Sequence, residues 1–197
     1  MRRGTKMRAL ALVSLLGLIP TWGCDQGSGF VHGDRLDVED CGQQPEFWEP
    51  FDMSLSFLGV VRATDVVMLR ASATSQWAEF ADSLLIHVAS YDQVQADLAV
   101  GSTSSLDVAA GEVAIGLSLQ GLCKGSTVPL EAATGTVTFS RLGTISGDHV
   151  TADLSFDIVD KRTGELVGTG FEAAIDFQVE AGTPFELFSD VGRQHGE

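Results

Sequence analysis

Two stretches near the end of this sequence leave little choice of backbone. Val150, Ala152, Leu154, Phe156 and Ile158 are apolar at every second position, with Thr151, Asp153, Ser155 and Asp157 between them. Phe171, Ala173, Ile175, Phe177 and Val179 repeat the stripe against Glu172, Ala174, Asp176 and Gln178. A period of two belongs to an extended strand with one wet face, because successive side chains point to opposite sides of the pleat. Asp160-Lys161-Arg162-Thr163-Gly164 has turn chemistry, so the two arms form an antiparallel hairpin. Gly168 and Gly170 in the second arm predict a bulge or bend, the device by which a sheet curls around a core.

The same period recurs upstream. Met53, Leu55, Phe57 and Val61 share one face, and Val66 to Leu69 is apolar on both. Leu84, Ile86 and Val88 alternate with Leu85, His87 and Ala89; Val113, Ile115, Leu117 and Leu119 face away from Glu112, Ala114, Gly116 and Ser118. Val137 and Phe139 lead into Leu142, a weaker strand is read from Gln95 to Val100, and Gly101 to Ser105 reads as a break. Trp77, Phe80, Leu84 and Leu85 mark a short helix near residues 75–82. About eight or nine one-sided strands call for antiparallel pairing, and burying their apolar faces takes two stacked sheets or a rolled one. The expected fold is all-β, an antiparallel β-sandwich, with a closed or partly open β-barrel as the alternative.

The leader is built differently. Arg2, Arg3, Lys6 and Arg8 surround its start, Ala9 to Ile19 is apolar, and Pro20 stops any helix ahead of Gly23-Cys24. That order is the order of an export signal. Its eleven-residue apolar run is too short to span a bilayer, which takes about 20 residues. Gly4-Thr5-Lys6 after the paired arginines favours general secretion over twin-arginine export. Gly23-Cys24 resembles the end of the signal in bacterial lipoprotein precursors. The resemblance implies diacylglycerol on the Cys24 thiol, cleavage just before it, and palmitate-type chains that hold the protein at a membrane. Thr21 and Trp22 depart from the usual residues of that motif, and ordinary signal cleavage is the alternative. Asp25 resembles an inner-membrane retention signal of some Gram-negative lipoproteins, and the outer membrane is the other destination.

Three cysteines leave one over if two pair. With Cys24 acylated, Cys41 and Cys123 remain, and an exported chain meets an oxidising compartment. A disulfide between them is expected; two reduced, buried thiols are the alternative.

Without residues 1–23 the chain keeps 8 basic residues against 27 acidic ones, a net charge of −19 over 174 residues. Such a surface repels nucleic acid and anionic headgroups, so membrane attachment is left to the lipid. The length suits one domain. The expected organisation is a signal peptide over 1–23, a flexible acidic tether over 24–40 that holds the body off the membrane, one β domain over 41–190, and a tail over 191–197.

Chemistry is hard to find. Gly116-Leu-Ser-Leu-Gln120 lacks the final glycine of a nucleophile elbow, and His32, His87, His149 and His195 form no metal-ligand spacing. No cofactor and no catalytic residue is implied. Pairing the last hairpin around its turn puts Asp153 opposite Glu172, two oxygen donors of the kind calcium takes, although a solvated polar face is the ordinary reading. The Asp34 to Asp40 stretch is a similar candidate. Trp48 and Trp77, beside Phe47 and Phe80, are candidates for stacking on sugar, with core packing as the ordinary reading. The expected function is a lipid-anchored, non-enzymatic interaction or structural module of the cell envelope. Its expected partners are the membrane and an envelope protein or carbohydrate. A small-ligand carrier with a barrel cavity and a secreted hydrolase are the alternatives.

Overall fold

The computed structural model describes residues 27–41, 44–74, 81–124 and 130–179. Twelve strands lie within them: β1 (Gly27–Gly33), β2 (Arg35–Cys41), β3 (Gln44–Trp48), β4 (Phe51–Leu55), β5 (Phe57–Ala63), β6 (Val66–Ser72), β7 (Asp82–Val88), β8 (Ser104–Asp107), β9 (Val113–Leu119), β10 (Leu130–Leu142), β11 (His149–Asp160) and β12 (Leu166–Gln178). One helix, α1 (Tyr91–Ala99), separates β7 from β8. All strand pairings are antiparallel.

The long strands β10, β11 and β12 carry the architecture because each is long enough to serve two sheets. Toward one end, β12 is flanked by β1 and then β4, and β10 by β8. Toward the other, β12 is flanked by β2 and β3, while β10 leads on through β9, β7 and β6 to β5. The two halves enclose one apolar core as an all-β, sandwich-like fold, and the sheet does not close into a barrel. Phe51, Phe139, Phe171, Phe177 and Ile115 are among the side chains that fill the interior.

The bend between the halves is a row of rings and glycines. Phe51 of β4 faces Gly33 of β1, and Phe171 of β12 pairs with Phe156, which pairs with Gly135 of β10. The Phe171 ring stacks on Phe156 at 5.3 Å and meets Phe51 at 5.8 Å. A Cβ at Gly33 would lie 2.7 Å from the Phe171 ring, so only glycine lets the strand pass this close. Gly170 has φ +66, the left-handed backbone that makes a bulge, and its N–H donates to Asp157 Oδ1 at 2.9 Å. The bend predicted at Gly168 and Gly170 is therefore present.

Four expectations need correction. The acidic stretch 24–40 was expected to be a tether, yet from Gly27 it forms β1 and β2, with Val31, Leu36 and Val38 buried. Three apolar residues spaced among charges sufficed because β12 offers them a free edge. Gln95 to Val100, expected as a strand, belongs to α1; Tyr91, Val94 and Leu98 recur at helical spacing and pack on the core. Asp65 caps that helix from the β5–β6 turn, accepting the Asp92 N–H at 2.8 Å. Gly101 to Ser105, expected as a break, already contains the start of β8. Finally, Phe57 and Val61 do not share the buried face of Met53 and Leu55. The chain leaves one sheet at Ser56 and enters the other, and Leu58 becomes the buried residue. The helix expected near 75–82 falls largely on residues outside those described; Asp82 itself opens β7.

Candidate functional site

The outer face of strands β6, β7 and β9 mixes Met68, Leu85, Ala114 and Gly116 with the polar Arg70, Ser83, His87 and Ser118. Met68 pairs across to His87 and on to Ala114, and Leu85 pairs to Gly116. Ala114, Gly116 and Ser118 are small, so the outer surface of β9 sinks between Met68 and Leu85 on one side and Glu131 and Lys161 on the other. The result is a groove of about 580 Å³, open on one side, with Val38 and Cys123 at its wall. The Lys161 ammonium and Glu131 carboxylate form an ion pair at its rim. Such a volume, with a mostly apolar lining and few polar groups, is within the usual range of ligand sites. A second, polar groove of about 510 Å³ lies beside it, where β2 leaves β12 after Leu36; Asp37, Glu39, Asp160 and Glu165 line it.

Next to the first groove, Arg70 is buried on the outer side of β6. Its Nε donates to Ser83 Oγ at 3.0 Å, and Ser83 Oγ in turn contacts Ser72 Oγ at 3.0 Å. Burial pulls the guanidinium pKa down from its ordinary value.

The opposite surface, outside β4, β1, β12 and β11, is acidic. His32 of β1 hydrogen-bonds Asp52 of β4 at 2.8 Å between Nδ1 and Oδ1. That bond raises the imidazole pKa; desolvation opposes it, and the charges of Asp52, Asp34 and Glu172 reinforce it. A pKa raised in the folded state stabilises the fold below the ordinary histidine value of about 6.5, and the gain is lost as pH climbs through the raised value. The melting midpoint is therefore expected to fall slightly from pH 6 to pH 8. In Asp52→Asn that slope should flatten, which differential scanning calorimetry across the series would check.

The predicted site residues separate. At the turn of the last hairpin Val159 faces Leu166, the register that would bring Asp153 to Glu172. Irregularities between Phe156 and Val159 shift the pairing by two, so Asp153 faces Ala174 and Glu172 faces Ser155. The glycines that bend the sheet thus pull the two carboxylates out of register. Among the described residues no three His, Cys, Asp or Glu side chains are grouped as a metal site requires, Asp34, Asp37 and Glu39 included. Trp48 turns inward, half-buried against the core and edge-on to Phe51 at 6.0 Å. Phe47 is exposed beneath the Arg35 guanidinium, 5.0 Å from its ring centre. Trp77 and Cys24 lie outside the described residues. Cys41 and Cys123 form the expected disulfide, with Cα atoms 4.6 Å apart.

Sequence reasoning missed the groove. Its lining comes from β2, β6, β7, β9, β10 and the β11–β12 turn, which no local spacing connects. Two signals were present: the small outer residues of β9, and a β6 segment apolar on both faces. Compared with protein-family models, curated proteins and solved structures, the chain matches none.

Proposed function

We propose that this chain is an exported, lipid-anchored envelope protein whose β body is an interaction module, with the outer groove of β6, β7 and β9 as its contact face. The observation that carries the reading is the Cys41–Cys123 disulfide. It fits an oxidising compartment, and it leaves Cys24 as the odd thiol directly after an export-type leader. A lining that is mostly aliphatic, with His87, Ser118, Gln120 and one rim ion pair among it, suits an apolar segment of an envelope protein better than a carbohydrate, which favours exposed rings. Nothing in this reading calls for catalysis or a cofactor.

Expressed in a bacterium, the full-length protein should enter the detergent phase of a Triton X-114 separation. Its intact mass should carry the acyl chains and lack two hydrogens at the disulfide. Cys24→Ser should move it to the aqueous phase. An unacylated, water-phase wild type would sink the proposal.

A further inference from the structure

Acylation of Cys24, the reading given above, is the premise here; the fold decides what it does to the body. Gly27 already belongs to β1 and lies opposite Phe177. Three peptide units separate it from Cys24, about 11 Å at full extension. The headgroup layer on each side of a bilayer is roughly 5–8 Å thick. The end of the body that carries Gly27 can therefore stand at most a few ångströms clear of the headgroups.

That end has a defined tip. Phe177 pairs with Val150 and Val150 with Leu142, so the loop 143–148 that joins β10 to β11 sits beside Gly27. Asp148 accepts the N–H groups of Thr144 and Ile145, each at 3.3 Å. Gly147 N–H donates to the Val179 carbonyl at 2.9 Å, and Val179 N–H to that of Asp148 at 2.8 Å. This loop holds Ile145 outward, 69% exposed. Helix α1 reaches the same end, where Gln95 Nε2 donates to the Leu142 carbonyl at 2.7 Å, and its C-cap is Val100, 79% exposed. The one carboxylate of the loop is bonded into it. Lying on its outer sheet face instead would press Asp52, Asp153, Glu172 and Asp176 against the headgroups, which anionic lipid disfavours.

We propose that the end of the body formed by Gly27, loop 143–148 and the close of α1 rests in the headgroup layer of the bilayer that holds the acyl chains, with Ile145 inserted. β11 has 12 residues and spans about 40 Å, so the groove near Leu130 and Lys161 is held at the far end, facing away from the membrane.

The test uses full-length protein extracted from membranes and reconstituted into phosphatidylcholine vesicles with or without brominated acyl chains. Ile145→Trp is compared with Leu166→Trp, a 59% exposed position at the opposite end of β12. The added fluorescence of Ile145→Trp should fall by about half in brominated vesicles, as expected for a side chain at the acyl boundary. That of Leu166→Trp should not change, and both variants should melt with the parent. Protein that floats with the vesicles but shows no quenching at Ile145→Trp, or quenching at Leu166→Trp, overturns the orientation while the anchor stands. Protein that does not float overturns both.

Discussion

Phe171→Ala is expected to lower the free energy of unfolding by about 4 kcal/mol, near the middle of the range for a buried phenylalanine. The ring has 0% exposure. It stacks on Phe156, meets Phe51 at a tilt, and lies within 3 Å of where a Cβ would stand on both Gly33 and Gly168. Cavities shrink when neighbouring side chains lean in, and glycines have none to lean. The void should stay open, and the halves of the fold should lose their shared pivot. Urea titration would read the loss as a lower midpoint at constant slope, and the melting midpoint should fall by roughly 10 °C. Phe171→Leu, which keeps most of the volume, should lose about 1.5 kcal/mol or less. Equal losses in the two variants would mean that the ring is not the pivot.

Replacing both Cys41 and Cys123 by alanine is the second large effect. The bond closes a loop of 82 residues, for which the chain-entropy model gives about 4 to 5 kcal/mol as an upper figure. Between β2 and β9 the sheet places β12, β11 and β10, yet the two Cα atoms are 4.6 Å apart. Cys123 lies in the turn that follows β9, and the disulfide ties that turn across the sheet to the end of β2. Both sulfurs' residues are buried, so reductant alone should cleave slowly until denaturant opens the fold. Thiol labelling against urea concentration would follow this. Fast labelling in native buffer would contradict the buried placement.

The sequence showed the fold class through the β11 and β12 stripes, because a strand buried on one face writes its burial into every second residue. It showed the disulfide through the arithmetic of an odd cysteine. It hid β1 and β2, whose short apolar sets read as scattered among acids until β12 supplied their partner edge. It hid α1 because reading from Gln95 omitted Tyr91 and Val94, the first two contacts of the helical stripe. The Asp153 and Glu172 pairing failed for a reason visible in the same hairpin. Gly168 and Gly170 predicted an irregularity, and an irregularity changes every register beyond it. The groove was least legible, since its chemistry is distributed over strands that only the fold assembles.

The pairing of β1 with β12 also sets a timetable. β4 can meet β1 as soon as it is made, but Val31 finds Ala173 only when β12 near the end of the chain is in place, so the second edge of the opening strand stays open until last. Contacts so distant along the chain form slowly. The architecture thereby leaves its opening strand half-paired until the last hairpin has formed.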